Sequence, residues 1–525
     1  MNLRITLRAA IRFSVASGAA VVLFTALLMA LPTPGHAIPA FARKYHTTCA
    51  RCHSVVPRLN NYGWNFKLRG FHVPGDEDIG TIPTPEDKKL TLLDQIPFAV
   101  RLMGNVSGST AKGSQGASAL DSEIDLLSAG RLAPRLGYWA ELDTSKNPDG
   151  SYSTEIGNVR GIFTDLVRHH PTLLNLEVGK FNIDEFGIST GRILTQNPYA
   201  IYDVGDALGN FPESDEVQGF NFYGAIGTGI GKGVAAAEQK QGQAGAVSEE
   251  EKKALEQELS KEQAPTPPPE NPELVAARAV LDALVKKGTL TQEEADQTLA
   301  DLAGKLPPPA TPPPTTPPAE AAAAAAAAPV SLARSDYDVR KGLFYQAGLV
   351  NRGFDNNSKP QGYARLIYAD KHDWWIGPVA YIGTNTIAND PNFTDNFTRY
   401  DLEAAYSTGP RRDVAGVARR AIDIYLAGQY GSDSNAAGSG VRVEHAGGFI
   451  EGTYILDDQN LFVLRWDRLY AGKMPGIDVS TLTLNYTRYL RRNLKVGVEY
   501  VPDLLRNSTY HVHGDQYFLF YDFTF

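Results

Sequence analysis

Cys49-Ala50-Arg51-Cys52-His53 concentrates the reactive chemistry of the chain, and Cys49 and Cys52 are its only two cysteines. Two thiols three positions apart, followed at once by an imidazole, form the attachment pattern of c-type haem. The spacing has a cause. Each thiol can form a thioether to one haem vinyl group, and the adjacent imidazole is then placed to ligate the iron. Two other readings use the same residues. A CxxC redox disulfide wants a thioredoxin-like βαβ unit around it, which is absent. A structural zinc site needs four ligands and would have to recruit His46 and His72. The motif therefore predicts one covalent haem c, with Cys49 and Cys52 as thioether positions and His53 as the proximal iron ligand.

The sixth ligand is less constrained. Met103 and Met474 are the only methionines beyond residue 37, whereas His46 and His72 lie close to the motif. His72 is the candidate distal ligand, because His46 falls just ahead of the attachment cysteines. Histidine–methionine ligation would raise the reduction potential, and bis-histidine ligation would usually lower it. Trp64 and Phe66, with Phe71, are expected to pack against the group, and Arg51, Lys67 and Arg69 are candidate partners for its propionates.

The rest of the chain must hold that motif. Arg4, Arg8 and Arg12, the apolar run from Phe13 to Leu31 and the small-residue exit Gly35-His36-Ala37 read as a signal peptide, residues 1–37, cleaved after Ala37. A retained membrane anchor is the alternative, opposed by Pro32, Pro34 and Gly35. Losing three arginines takes the net charge from −9 to −12. An acidic exported chain is a poor nucleic-acid binder, so no nucleic-acid partner is expected. A mean hydropathy of −0.25 is too polar for a bundle of membrane helices.

Four stretches follow the signal: a cysteine-bearing segment (38–89), alternating strands (90–229), an insert (230–336) and alternating strands to the end (337–525). The insert holds no Phe, Tyr or Trp between Tyr223 and Tyr337, and 14 of the 33 prolines, so it cannot bury a core. Its capping boxes at Ser248–Glu251 and Thr291–Glu294 predict short helices between stiff proline tracts, a disordered or partly helical low-complexity arm.

Outside the insert, apolar and polar residues alternate at period two. Phe462, Leu464 and Trp466 share one face of their run and Arg465 and Asp467 the other, and Tyr400, Leu402 and Ala404 oppose Arg399, Asp401 and Glu403. The last run puts Tyr517, Leu519, Tyr521, Phe523 and the terminal Phe525 on one face, which resembles the closing strand of bacterial outer-membrane barrels. With Tyr470, Tyr486, Tyr489 and Tyr500 at strand ends as aromatic girdles, the fold class is all-β, a transmembrane outer-membrane β-barrel lying in outer-membrane lipid.

About sixteen strands are expected, near 97, 122, 138, 158, 173, 216, 342, 362, 374, 398, 422, 446, 460, 479, 494 and 516. If the first starts in the periplasm, connections after even strands are short periplasmic turns. Odd connections, such as Asn351 to Gln361 and Thr384 to Phe397, are outward loops. The insert, after the sixth strand, then lies in the periplasm. Inward Glu141, Asp143, Asp401, Glu403, Asp467 and Glu499 could guide a cation, although any porin lumen is polar and Arg399 and Arg465 share those strands.

Pro39-Ala40-Phe41-Ala42-Arg43, Cys49-x-x-Cys52-His53, Pro57-x-Leu59-Asn60, Gly63-x-x-Phe66-Lys67 and Gly70-Phe71 resemble the head of fused monohaem cytochrome-porins, a family that includes outer-membrane iron oxidases. The resemblance implies Cys49, Cys52 and His53 as haem-binding positions and electron transfer across the outer membrane. The long insert and His72-Val73-Pro74 depart from the pattern. The expected partners are extracellular Fe(II), or another donor or acceptor, and a periplasmic c-type cytochrome. A passive porin with the haem segment as plug or sensor is the second expectation, and a ligand sensor with an open iron site the third.

Overall fold

The computed structural model describes residues 40–45, 49–71, 81–82, 92–93, 97–111, 117–133, 135–147, 150–168, 170, 172–208, 213–227, 291–293, 296–298, 341–351, 359–370, 373–387, 390–408, 420–457, 459–491, 493–505 and 514–524. Residues 1–37, His46, His72 and Phe525 lie outside this set. Sixteen strands close into one antiparallel barrel. They are β1 (Phe98–Ser109), β2 (Ala117–Ala133), β3 (Leu136–Lys146), β4 (Tyr152–Phe163), β5 (Asn175–Asn182), β6 (Glu216–Ile226), β7 (Gly342–Asn351), β8 (Gln361–Asp370), β9 (Trp374–Ile387), β10 (Asp390–Ser407), β11 (Ala421–Asp433), β12 (Val443–Ile455), β13 (Asn460–Ala471), β14 (Val479–Arg491), β15 (Leu494–Val501) and β16 (Gln516–Thr524). Each pairs with its chain neighbours, and β16 closes on β1 from Gln516 opposite Ser109 to Thr524 opposite Arg101. The strand count and positions agree with those expected from the alternation.

Burial along these strands is inverted relative to a water-soluble protein. In β13, Phe462, Leu464 and Trp466 are 44%, 53% and 46% exposed, while Arg465 and Asp467 between them are 0% and 1% exposed. In β10, Tyr400 and Leu402 are exposed, and Arg399, Asp401 and Glu403 are buried. Leaving such side chains in water would forgo about 1.5–3 kcal/mol each, so this outer surface belongs in hydrocarbon. Among the described residues no helix is long and apolar enough to cross a membrane. The strands make the crossing, and barrel closure leaves no unpaired edge in lipid.

The connections Ala133 to Leu136, Asp370 to Trp374, Ile455 to Asn460 and Arg491 to Leu494 are short and mark one end of the barrel. Ile226 and Gly342, between which the insert is spliced, lie at that same end. Two expectations need correction. Thr384 to Phe397 is mostly strand, because β9 and β10 run on as a hairpin with Thr386 opposite Thr394. Its polar residues Asn385, Thr386 and Asp395 are buried, Asn385 and Asp395 on the inward face of that hairpin. Tyr489, expected in the outer girdle, is buried and faces inward, in phase with Thr483, Asn485 and Thr487.

Contacts group residues 239–330 as a second compact unit. Of it, residues 292–293 and 296–298 are helical, with Gln292 Nε2 donating to Asp296 Oδ1 at 3.3 Å.

The barrel core is built inside the lumen. From the short-turn end come α1 (Ala40–Lys44), a 3-10 turn (Cys49–Arg51), a small hairpin (His53–Val55 with Arg58–Leu59) and α2 (Asn61–Leu68). From the opposite end the described part of the β5–β6 connection, 183–208 and 213–215, turns inward. Trp64, Phe66, Leu68 and Phe71 of the first meet Phe186, Ile188, Tyr199 and Tyr202 of the second in one cluster with wall residues Tyr223, Phe344 and Phe449.

Candidate haem-binding site

The cysteine motif is held by a tight backbone weave. Cys49–Arg51 form the 3-10 turn, closed by Cys52 N donating to Cys49 O at 3.1 Å. His53 Nδ1 lies 3.1 Å from the Pro57 carbonyl oxygen. A carbonyl only accepts, so Nδ1 carries the proton and Nε2 keeps its lone pair for a metal. Burial reinforces this by pushing the His53 imidazole down to about 4, so the ring is neutral and able to ligate at neutral pH. Burial likewise pushes the Cys52 thiol up to about 12.

The residues around the motif each support this weave. Asn60 accepts from Gly63 N at 3.0 Å as the N-cap of α2, its Nδ2 donates to Arg51 O at 3.1 Å, and its backbone N donates to Cys52 O at 2.9 Å. A Cβ on Gly63 would stand 2.2 Å from Cys52 O, so only glycine lets α2 lie against the motif. Gly70, at φ +67°, turns the chain so closely against β3 that a Cβ on Gly137 would stand 2.2 Å from the Gly70 carbonyl oxygen.

The segment is bolted into the short-turn end of the barrel. Arg58 is buried, donates to Thr453 Oγ1 at 2.9 Å, pairs with Glu451 and lies 4.4 Å over the Tyr425 ring. Tyr489 Oη donates to Val56 O at 2.5 Å, Asn61 Nδ2 to Asp373 Oδ1 at 3.0 Å and Asn175 Nδ2 to Leu68 O at 3.1 Å. Glu451 is also 3.5 Å from Arg465, which donates to Thr195 Oγ1, Asn197 O and Pro198 O of the inward loop at 2.8, 2.8 and 2.9 Å. Glu185 of that loop pairs with Lys67 of α2 and, at 3.0 Å, with Arg160 of β4. Segment, loop and wall thus share two buried charge networks.

The donor set fits a covalently held haem c. Cys49 and Cys52 are not joined in a disulfide. The adjacent imidazole is neutral and held by the Pro57 and Arg58 backbone, and among the described residues no third His, Cys or carboxylate clusters with the cysteines as a zinc site would require. Trp64 borders a cleft of about 90 Å³ beside the motif, with Ser54, Leu59 and Asn60 on the segment and Trp375 and Tyr425 on the wall. Phe66 instead sits among Phe41, Tyr45 and Phe71, with ring centroids 5.0, 5.6 and 6.1 Å away. Phe71 packs on Trp139 at 5.1 Å. Of the residues expected near propionates, Lys67 is engaged by Glu185 and Arg51 stacks on Tyr62 at 3.9 Å. Met474 lies in the β13–β14 connection, at the end remote from the motif. His72, the candidate distal ligand, falls outside the described residues.

The inward carboxylates have divided tasks. Glu403 accepts from Tyr202 Oη at 2.7 Å, Asp467 from Ala200 N at 3.4 Å, and Glu499 from Gln196 N and Asn197 N at 2.8 and 2.7 Å. These three hold the inward loop and do not line a cation path. Asp401 is buried beside them, whereas Glu141 and Asp143 remain partly open. The inward loop is the element that sequence reasoning missed. Its signal was present: Ile183, Phe186, Ile188, Leu194, Tyr199, Ile201, Tyr202, Val204 and Leu208 are too apolar for a connection in water.

Among solved structures the chain is similar to OmpF of Salmonella typhi (10% identity, TM-score 0.43, covering 82% of this chain and 97% of that one). It is also similar to an anion-selective porin from Comamonas acidovorans (7%, 0.42, 82% and 98%) and to the outer membrane channel DcaP of Acinetobacter baumannii (8%, 0.42, 82% and 97%). No family model and no curated protein matches the sequence.

Proposed function

We propose that this chain is an outer-membrane barrel whose plug carries one haem c on Cys49 and Cys52, with His53 as proximal ligand, and which passes electrons between the outside and the periplasm. The observation that carries the reading is the His53 Nδ1–Pro57 carbonyl contact, which orients and tautomerises the imidazole as an iron ligand beside two cysteines outside any disulfide. When bound, the group supplies a one-electron couple. The chain's own residues do the rest. Asn60 and Gly63 hold the motif against α2, Arg58 and Tyr489 seat it in the lumen, and the apolar cluster around Trp64 keeps bulk water away. The donor is Fe(II) or another external reductant and the acceptor a periplasmic c-type cytochrome. One haem cannot span a hydrocarbon core of about 30 Å, so the lumen must bring one of these partners close.

A passive porin is the second reading, favoured by the closed sixteen-stranded barrel itself. Plug and inward loop pack against each other and the wall inside that lumen. Mass spectrometry and a reduced-minus-oxidised spectrum of the exported protein test the first reading. Added porphyrin mass and a c-type spectrum, both lost in Cys52→Ala together with Fe(II) oxidation by intact cells, support it. An unmodified chain with steady ion conductance in a planar bilayer supports the porin.

A further inference from the structure

We infer that the lumen wall between β2 and β3 holds a divalent cation, bound by Asp125, Glu141 and Asp143. This goes beyond the electron-transfer reading and does not rest on it, because barrel side chains alone supply the ligands. One oxygen from each carboxylate lies within 4.8 Å of the others. A cation about 2.1–2.4 Å from each of three oxygens spans separations up to about 4.8 Å, and an all-oxygen donor set selects a hard ion.

Three further observations point to a ligand. Asp125 is 1% exposed, and its Oδ1 has no hydrogen-bond partner; only Oδ2 is approached, by Arg101 at 3.6 Å. That guanidinium is already bound to both oxygens of Asp522, at 3.2 and 2.9 Å. Asp143 Oδ1 is likewise buried without a partner. Glu141 has one oxygen anchored, accepting from Asn158 Nδ2 at 3.1 Å and Trp139 Nε1 at 3.3 Å, which leaves the other for the cluster.

The backbone is arranged for the same end. A β-bulge sets Gly157 and Asn158 of β4 opposite Glu141, with Leu142 facing Ile156 and Ala140 facing Val159 on either side. The bulge brings Asn158 to Glu141, and Gly157 opens the space that the Asp143 carboxylate fills; a Cβ there would stand 2.0 Å from Asp143 Oδ2. Asp125 is also directly opposite Asp143, and Asp143 opposite Glu155. Like charges so aligned repel, and a bound cation converts that repulsion into binding energy.

The test is a Mn²⁺ titration of the purified full-length protein in detergent after chelator treatment, with free Mn²⁺ followed by electron paramagnetic resonance. The expected result is one saturable site, weakened at least about tenfold by Asp143→Asn and by Glu141→Gln, and less than about threefold by Glu155→Gln, which lies outside the triad. Gly157→Ala keeps every carboxylate, displaces Asp143 and is expected to weaken binding to the same degree. Barrel closure of each variant is read from heat-modifiable gel migration. Cys52→Ala is expected to bind Mn²⁺ like the native chain, so failure of the haem reading leaves this one standing. No saturable binding up to about 1 mM Mn²⁺, or native affinity in closed barrels of both Asp143→Asn and Gly157→Ala, overturns the proposal.

Discussion

The two sides of the lumen wall carry the same residue types and use them differently. Along β10 to β14, Glu403, Glu451, Arg465 and Asp467 are buried and joined to chain that returns into the lumen, whether to Arg58 of the plug or to residues 195–202 of the inward loop. Along β2 to β4, Glu123, Glu141, Asp143 and Glu155 stay at least partly open, and Asp125 keeps an unpartnered oxygen. Inward charge on a barrel strand therefore does not announce its role. A returning segment turns it into a structural joint, and its absence leaves it available to water and ions.

That contrast can be broken from either side. Glu451→Ala strands Arg58 as a buried cation without a carboxylate and leaves Arg465 only Asp467, and is expected to destabilise the protein by about 3–5 kcal/mol and to raise single-channel conductance as plug and loop loosen. Thermal unfolding in detergent and bilayer recording measure the two effects. In protein made without haem attachment, the Cys52 thiol near 12 ionises only as the pH climbs toward that value. At pH 8 its thiolate fraction, and with it iodoacetamide alkylation, is about a thousandfold below that of a thiol near 9, and mass spectrometry of timed digests reads the rate. Tyr489→Phe removes one hydrogen bond to Val56 O and is expected to cost about 0.5–1.5 kcal/mol without opening the lumen. Glu155→Gln on the open wall is expected to change stability by less than about 0.5 kcal/mol.

The sixteen strands were legible because a lipid-facing barrel strand is constrained on both faces. Phe462, Leu464 and Trp466 must alternate with Arg465 and Asp467, whatever else the chain does. The Cys49-x-x-Cys52-His53 spacing stood out because it is the one that covalent haem attachment would require, which is the reading proposed for it. The tasks of Asn60 and Gly63 were not legible, since they depend on α2 folding back over the Cys52 carbonyl. Nor was the inward loop, because Glu403, Asp467 and Glu499 lie hundreds of positions from the backbone groups they bind and show in the sequence only as polar residues. Tyr489 was misplaced by residue type alone, although its phase with Thr487 gave the direction.

The plug's seat has a consequence for the order of assembly. Arg58 meets Glu451 across 393 positions of chain, and Val56 meets Tyr489 across 433. Both partners belong to strands near the carboxyl end, so the first part of the exported polypeptide waits longest for its place. Loop-closure entropy over such separations is recovered only once the curtain of strands is drawn shut. Docking of the amino-terminal segment is thus expected to follow closure of the barrel, and a chain truncated before β14 would lack the Tyr489 contact that helps to seat it.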